Sequence, residues 1–199
     1  MKPQNHHRRS IRLKERDYSQ ADSYFVTICC QNRVDFYGEI ENAAMKLNDA
    51  GKMIKNWYHE LENKFPEIKC GEMIIMPNHI HFITILADLH VCPDKTGERD
   101  PILGEHTGSP LHRVVQWLKT MTTNEYIRGV KSLNWQRFNK RLWQRNYYEH
   151  IIRNENEYNR IAKYIVNNPA KWNNDKLNNN TPNMVMEERA EYGMEKWMI

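Results

Sequence analysis

The sequence has no apolar stretch close to the roughly 20 residues a membrane-crossing helix needs. Its apolar runs, Phe82 to Ala87 among them, are strand-sized. It has only four cysteines, Cys29, Cys30, Cys70 and Cys92, and none of them fall at Cys-x-x-Cys spacing. No secretory leader is recognisable, so the expectation is a soluble, cytoplasmic protein with reduced thiols and no membrane partner. Internal repeats are absent too. Acidic residues are scarce in one place: between His112 and Arg145 eight Lys or Arg face a single Glu125, although the net charge is only +4. Residues 1–17 add Lys2, Arg8, Arg9, Arg12, Lys14 and Arg16 against Glu15 and Asp17. Two basic blocks of this kind suit a polyanion, nucleic acid above all.

What is present points to one folded domain. The chain has 199 residues, 40% hydrophobic, with six Trp, ten Tyr and five Phe. That is enough to build a core and too aromatic for a disordered polymer. Residues 1–23 show no hydrophobic period and read as a basic N-terminal arm. Tyr24 to Cys30 is rich in β-formers and apolar on both faces, a buried strand. Residues 31–44 read as a polar connection. Ile54, Trp57, Tyr58, Leu61 and Phe65 then recur at helical spacing, with Asn48 or Asp49 as cap and Pro66 as stop.

Two strands follow, about 69–76 and 79–87, joined at Pro77-Asn78. Residues 88–108 read as a surface loop. Ser109-Pro110 opens a second amphipathic helix that Gly129 is expected to close. Residues 142–152 read as a fourth strand. Asn154 and Glu157 look like a capping box for a third helix, with Tyr158, Ile161, Ala162 and Ile165 as its core stripe and Pro169 after its end. The domain is set at 24–172 and a C-terminal tail at 173–199. The order β-α-β-β-α-β predicts an α+β, ferredoxin-like split βαβ fold. It has a four-stranded antiparallel sheet with helices on one face, plus an extra C-terminal helix carrying Tyr164. The first and third strands are then central neighbours.

The chemistry centres on His79-Ile80-His81. Residues two apart on a strand point the same way, about 7 Å between attachment points, so both imidazoles can hold one cation. A polar strand start with one capping histidine is the alternative. On the third helix Tyr164 and Asn168 lie about 40° apart round the axis and about 6 Å along it, forming one polar stripe. Taken singly, Tyr164 also reads as a packing tyrosine and Asn168 as a helix cap. Tyr147 and Tyr148 are rival nucleophiles, of which strand alternation lets only one face the histidines. Trp135, Phe138 or Trp143 are candidates either for stacking on bases or for burial. Glu149 and His150 suit ordering or packing.

Five blocks in this order resemble the single-tyrosine HUH transposases, most closely their REP-associated tyrosine transposase branch. They are Arg9-Ser-Ile-Arg12 with Asp17-Tyr-Ser-Gln20, Tyr24-Phe-Val-Thr-Ile28, Met76-Pro-Asn-His-Ile-His81, Leu142 to His150, and Tyr164-Ile-Val-Asn-Asn-Pro169. The resemblance implies that His79 and His81 bind a divalent cation, Mg²⁺ or Mn²⁺, with Asn168 as third ligand. It implies Tyr164 as nucleophile, a 5′-phosphotyrosine intermediate, and a substrate of single-stranded DNA with a hairpin. Arg8, Arg9, Arg12, Lys14, Arg16, Lys140, Arg141 and Arg145 are the expected DNA contacts. A monomer and a homodimer both fit the resemblance. The rival readings are a noncatalytic DNA- or RNA-hairpin-binding module on the same fold and a small metal-dependent hydrolase.

Overall fold

The computed structural model describes residues 22–86 and 110–179. The basic arm with Arg8, Arg9, Arg12, Lys14 and Arg16, the 88–108 loop, Ser109 and residues 180–199 lie outside the described residues. The elements in order are β1 (Asp22–Cys29), β2 (Gly38–Glu41), β3 (Ala44–Leu47), α1 (Asp49–Lys64), β4 (Ile68–Ile75), β5 (His79–Leu86), α2 (Pro110–Ser132), β6 (Tyr148–Ile152) and α3 (Glu155–Asn167). The main sheet runs β4-β5-β1-β6, antiparallel throughout, with β5 and β1 central. This is the split βαβ arrangement that the element order predicts.

Alternation along the central strands separates two cores. Tyr24, Val26 and Ile28 of β1, with Ile80 and Phe82 of β5, face α1 and α2. Phe25 and Ile83 face the other way and meet Ile161 and Ile165 of α3, with Ile152 of β6. Strands covered on both faces read as continuous apolar runs, which is why both stand out in the sequence. The extra helix therefore lies across the sheet from α1 and α2. The register pairs Thr27 with His81 and Cys29 with His79, so both histidines share the α3 face.

Several boundaries differ from the sequence reading. Residues 38–47 form a second small sheet, β2-β3, instead of a plain connection. Its two-residue turn puts Asn42 and Ala43 at φ of 50° and 61°, a left-handed pair that Ala seldom signals. Helix α2 passes through Gly129 and ends at Ser132. Gly129 is packing space, since a Cβ there would run into the Trp135 ring.

The fourth strand is regular only from Tyr148, joined upstream by a single bridge between Cys30 and Trp143. The carbonyls of Gln144, Arg145 and Asn146 turn instead to the Lys119 ammonium at 3.0, 3.3 and 3.2 Å. Beyond α3, Pro169–Asn174 is a 3₁₀ helix. The packed chain continues past residue 172, with Leu177 and Asn178 buried. Among the described residues no helix is long and apolar enough to cross a membrane.

Candidate active site

His79 and His81 are fully buried, and their Nε2 atoms stand 3.0 Å apart. Each Nδ1 has its own partner: Asn78 Oδ1 at 2.8 Å for His79 and Thr27 Oγ1 at 2.7 Å for His81. The Asn78 amide nitrogen donates to the carbonyls of Arg33 and Leu177. Its oxygen must therefore face His79 and can only accept, so His79 carries its proton on Nδ1 and leaves Nε2 bare. His81 Nε2–H then donates to that bare nitrogen, and the Thr27 hydroxyl donates to His81 Nδ1. Burial pushes the His79 imidazole well below its ordinary range, with the nearby charges of His81 and Arg33 acting in the same direction. Burial alone takes His81 down to about 3. The pair is neutral at pH 7, the form in which imidazole binds a metal.

Helix α3 ends at the other two expected residues and packs Tyr164 against this face. Asn154 caps it, accepting from Glu157 N at 2.9 Å, and Ile161 and Ile165 seat it on the sheet. Tyr164, half-buried, sets its ring 5.5 Å from the His81 ring and 6.1 Å from Phe25, edge-on to both. Phe25 in turn stacks on His81 at 5.4 Å. One turn after Tyr164, Asn168 is only 2% exposed, and its Oδ1 is buried with no hydrogen-bond partner. Four residues further on, Trp172 covers His79 with ring centroids 5.9 Å apart.

These donors fit a divalent cation. Two neutral imidazoles converge, and the buried amide oxygen of Asn168 lacks a partner, a polar group that costs free energy unless something satisfies it. No cluster of three His, Cys, Asp or Glu side chains forms among the described residues. Asn168, with its unpartnered amide oxygen, is the residue expected as a third ligand. Two imidazole nitrogens with an amide oxygen are a mixed donor set that Mg²⁺, Mn²⁺ and Zn²⁺ can each share; the choice of Mg²⁺ or Mn²⁺ comes from the family resemblance.

The remaining candidates separate. Tyr148 shares the histidine face, 6.3 Å from Phe25, and burial pushes its phenol up to about 12. Tyr147 points to the opposite face, toward α2. His150 is engaged by Glu157 at 2.8 Å. Trp143 is buried, donating to Thr122 Oγ1 at 2.9 Å, and Trp135 packs on Tyr126. Lys140, Arg141 and Arg145 are not gathered at the histidines; they line a cavity on the α2 side of the sheet. Sequence reasoning missed Thr27, Asn78 and Trp172. Asn78 looked like turn chemistry, and nothing local marks the other two.

No protein-family model matches the chain. Among solved structures it is similar to a REP-associated tyrosine transposase bound to a REP hairpin, with 18% identity, a TM-score of 0.48, and 81% of this chain and 74% of that one covered. A provisionally assigned transposase of Deinococcus radiodurans gives 15% identity and a TM-score of 0.44, over 78% of this chain and 97% of that one. An uncharacterised Haemophilus influenzae protein is 39% identical over 176 residues, 86% of this chain and 93% of its own length, and the two belong to one family. A second protein of that organism, provisionally named a REP-associated tyrosine transposase, is 26% identical over 159 residues, 78% of this chain and 74% of its own length. The chain is thus similar to a protein that carries the REP-associated tyrosine transposase name. Its buried histidine pair lies within the block that carries that resemblance.

Proposed function

We propose that the protein nicks and rejoins single-stranded DNA beside a hairpin, with Tyr164 as nucleophile and a divalent cation held by His79, His81 and Asn168. One observation carries the reading. Two neutral imidazole nitrogens converge at 3.0 Å on the sheet face where the Tyr164 ring packs against His81. Mg²⁺ or Mn²⁺ at these ligands supplies charge stabilisation for the nonbridging phosphate oxygens.

The chain's own groups do the rest. Tyr164 Oη loses its proton to solvent and attacks phosphorus. The bond from phosphorus to the 3′ oxygen breaks, and that oxygen takes a proton. The products are a 5′-phosphotyrosine and a free 3′-hydroxyl. Because the phosphoryl group stays on the enzyme, a 3′-hydroxyl can reverse the step and rejoin ends without a nucleotide cofactor. Asn78 and Thr27 orient the imidazoles, while Phe25 and Trp172 keep water from them. The Thr27 hydroxyl both donates and accepts, so it can hold either tautomer of His81 when Nε2 is needed bare.

The test is a denaturing gel of labelled hairpin DNA incubated with protein and Mg²⁺ or Mn²⁺. Wild type forms a covalent adduct that needs the cation, and Tyr148→Phe forms it too, whereas Tyr164→Phe does not. An adduct that persists in Tyr164→Phe overturns the assignment. Tight hairpin binding by wild type without any adduct makes the protein a noncatalytic hairpin-binding module. Cleavage without an adduct points to direct hydrolysis by water.

A further inference from the structure

Cleavage of a phosphodiester leaves a 3′ oxygen that needs a proton, and the attacking tyrosine cannot supply it, because its own proton has already gone. We propose that Tyr148 is the proton donor to that oxygen and, in rejoining, the group that takes the proton back. The inference rests on the reading of Tyr164 as nucleophile above.

Placement on the sheet is the first ground. His81, Thr27 and Tyr148 stand in one row across β5, β1 and β6, since Thr27 pairs with His81 on one side and with Tyr148 on the other. Their side chains therefore leave the same face of the sheet. Phe25, two residues before Thr27, meets two phenols: its ring centroid is 6.1 Å from that of Tyr164 and 6.3 Å from that of Tyr148, edge-on to both. Tyr164 also packs on His81 of β5 at 5.5 Å, whereas Tyr148 comes from β6, and β1 separates those two strands. Displacement at phosphorus needs the attacking and leaving oxygens roughly in line on its two sides. A phosphate resting over Phe25 between the phenols has one hydroxyl for each.

Other protic side chains turned to this face are committed elsewhere. Thr27 serves His81 at 2.7 Å, His150 serves Glu157 at 2.8 Å, and the Tyr158 hydroxyl donates to Glu72 at 2.6 Å. Cys29 pairs with His79, the imidazole that Trp172 covers, and not with the one that Tyr164 packs on. Tyr148 is half-buried at the first residue of an edge strand. Its ring is seated on Phe25, and its position at the rim of the sheet suits contact with a bound strand.

Acidity agrees with the role. Burial pushes the Tyr148 phenol up to about 12, which makes it a poor nucleophile at pH 7 and keeps its proton in place until one is needed. A departing alkoxide is more basic still, so the proton moves to it as the bond from phosphorus to the 3′ oxygen breaks. A phenolate remains. In the reverse step that phenolate takes the proton of the attacking 3′-hydroxyl, as microscopic reversibility requires.

Hairpin DNA with sulfur in place of the 3′ oxygen at the cleaved bond decides the matter. A thiol titrates near about 8.5, so a thiolate leaves without a proton. Wild type and Tyr148→Phe are compared on the oxygen and sulfur substrates with Mn²⁺, reading the single-turnover rate of adduct formation. Tyr148→Phe, which keeps the ring on Phe25, still forms the adduct on the oxygen substrate but at least about tenfold more slowly, because a general acid typically contributes about 100-fold or more. On the sulfur substrate the two proteins keep the same rate. Rejoining of the oxygen substrate slows by the factor that formation does, so the balance between them is unchanged. An equal loss on both substrates makes Tyr148 a packing residue and overturns the proposal, as does an unchanged rate on oxygen. A sulfur-rescued loss in Cys29→Ala, with none in Tyr148→Phe, overturns it in favour of that thiol. Wild type that forms no adduct with either substrate overturns the Tyr164 reading itself.

Discussion

Asn78 holds its side-chain oxygen 2.8 Å from Nδ1 of His79 while its amide nitrogen donates to the carbonyls of Arg33 at 3.1 Å and Leu177 at 3.0 Å. An amide whose nitrogen serves two backbone acceptors cannot flip without abandoning both. The residue therefore ties three distant stretches of chain together and fixes which imidazole nitrogen of His79 is free. Neighbours that orient a metal-binding histidine typically govern affinity by about 10–100-fold.

Asn78→Ala should therefore weaken Mn²⁺ binding by about that factor, read by calorimetric titration of the protein without DNA. Asn78→Asp keeps an acceptor for Nδ1–H and should retain more of the affinity. It loses the donors to Arg33 and Leu177, so its stability should fall. Mn²⁺ affinity that is unaltered in a folded Asn78→Ala protein would show that the tautomer lock does not matter for the ion.

The buried pair also predicts acid sensitivity. Both imidazoles have folded-state values below the ordinary 6.5, His79 well below it and His81 at about 3. The unfolded chain thus binds more protons than the folded one once the pH drops under 6.5. Stability is complete above that value and falls as the pH moves toward 3, by about 1.4 kcal/mol per pH unit for each histidine. Urea midpoints at pH 7 and pH 5 measure it. The His79→Gln/His81→Gln variant should show a shallower dependence, and equal slopes in the two proteins would sink the account.

Sheet order was legible from the order of the elements, and the histidine face from the alternation of side chains along a strand. Tyr24 to Cys30 and His79 to Leu86 are central strands, and their alternation alone puts His79 and His81 on one side. Helix α3 was legible through Asn154, Glu157 and the Ile161–Ile165 stripe. Less legible was anything decided by partners far apart in sequence. Lys119 diverts the carbonyls of residues 144–146 from the ladder, so an eleven-residue β-like run yields only the five-residue strand Tyr148–Ile152. The β2-β3 turn uses Ala43 where glycine would have given notice. Thr27, Asn78 and Trp172 gain their meaning only once β1, β5 and the segment after α3 meet.

Gly129 offers a stability test with an unusual sign. Glycine to alanine inside a helix normally stabilises by about 0.5–1 kcal/mol. Here the new methyl would run into the Trp135 ring, and overpacking of that kind costs about 1–3 kcal/mol. Chemical denaturation should show Gly129→Ala to be destabilised, and the same change in a Trp135→Ala background to be neutral or stabilising. Stabilisation in the otherwise wild-type protein would mean that Trp135 does not occupy the helix surface.

The last prediction separates what starts α3 from what aims it. At its first turn Asn154 Oδ1 accepts from Glu157 N at 2.9 Å, and Glu157 accepts from Arg153 N and engages His150, both at 2.8 Å. Tyr164 lies about 15 Å further along the axis, flanked by the fully buried Ile161 and Ile165. Loss of the cap in Asn154→Ala should cost about 1 kcal/mol and fray the first turn, while the second half of the helix stays seated. The rate of adduct formation on hairpin DNA should then stay within about twofold of wild type. Ile161→Ala opens a cavity between α3 and Phe25, costs about 2–5 kcal/mol, and leaves the tyrosine without its footing, so adduct formation should fall sharply at a temperature where the protein is still folded. If Asn154→Ala instead lost the adduct and Ile161→Ala kept it, the polar cap, and not the apolar seat, would be what presents Tyr164 to the histidines.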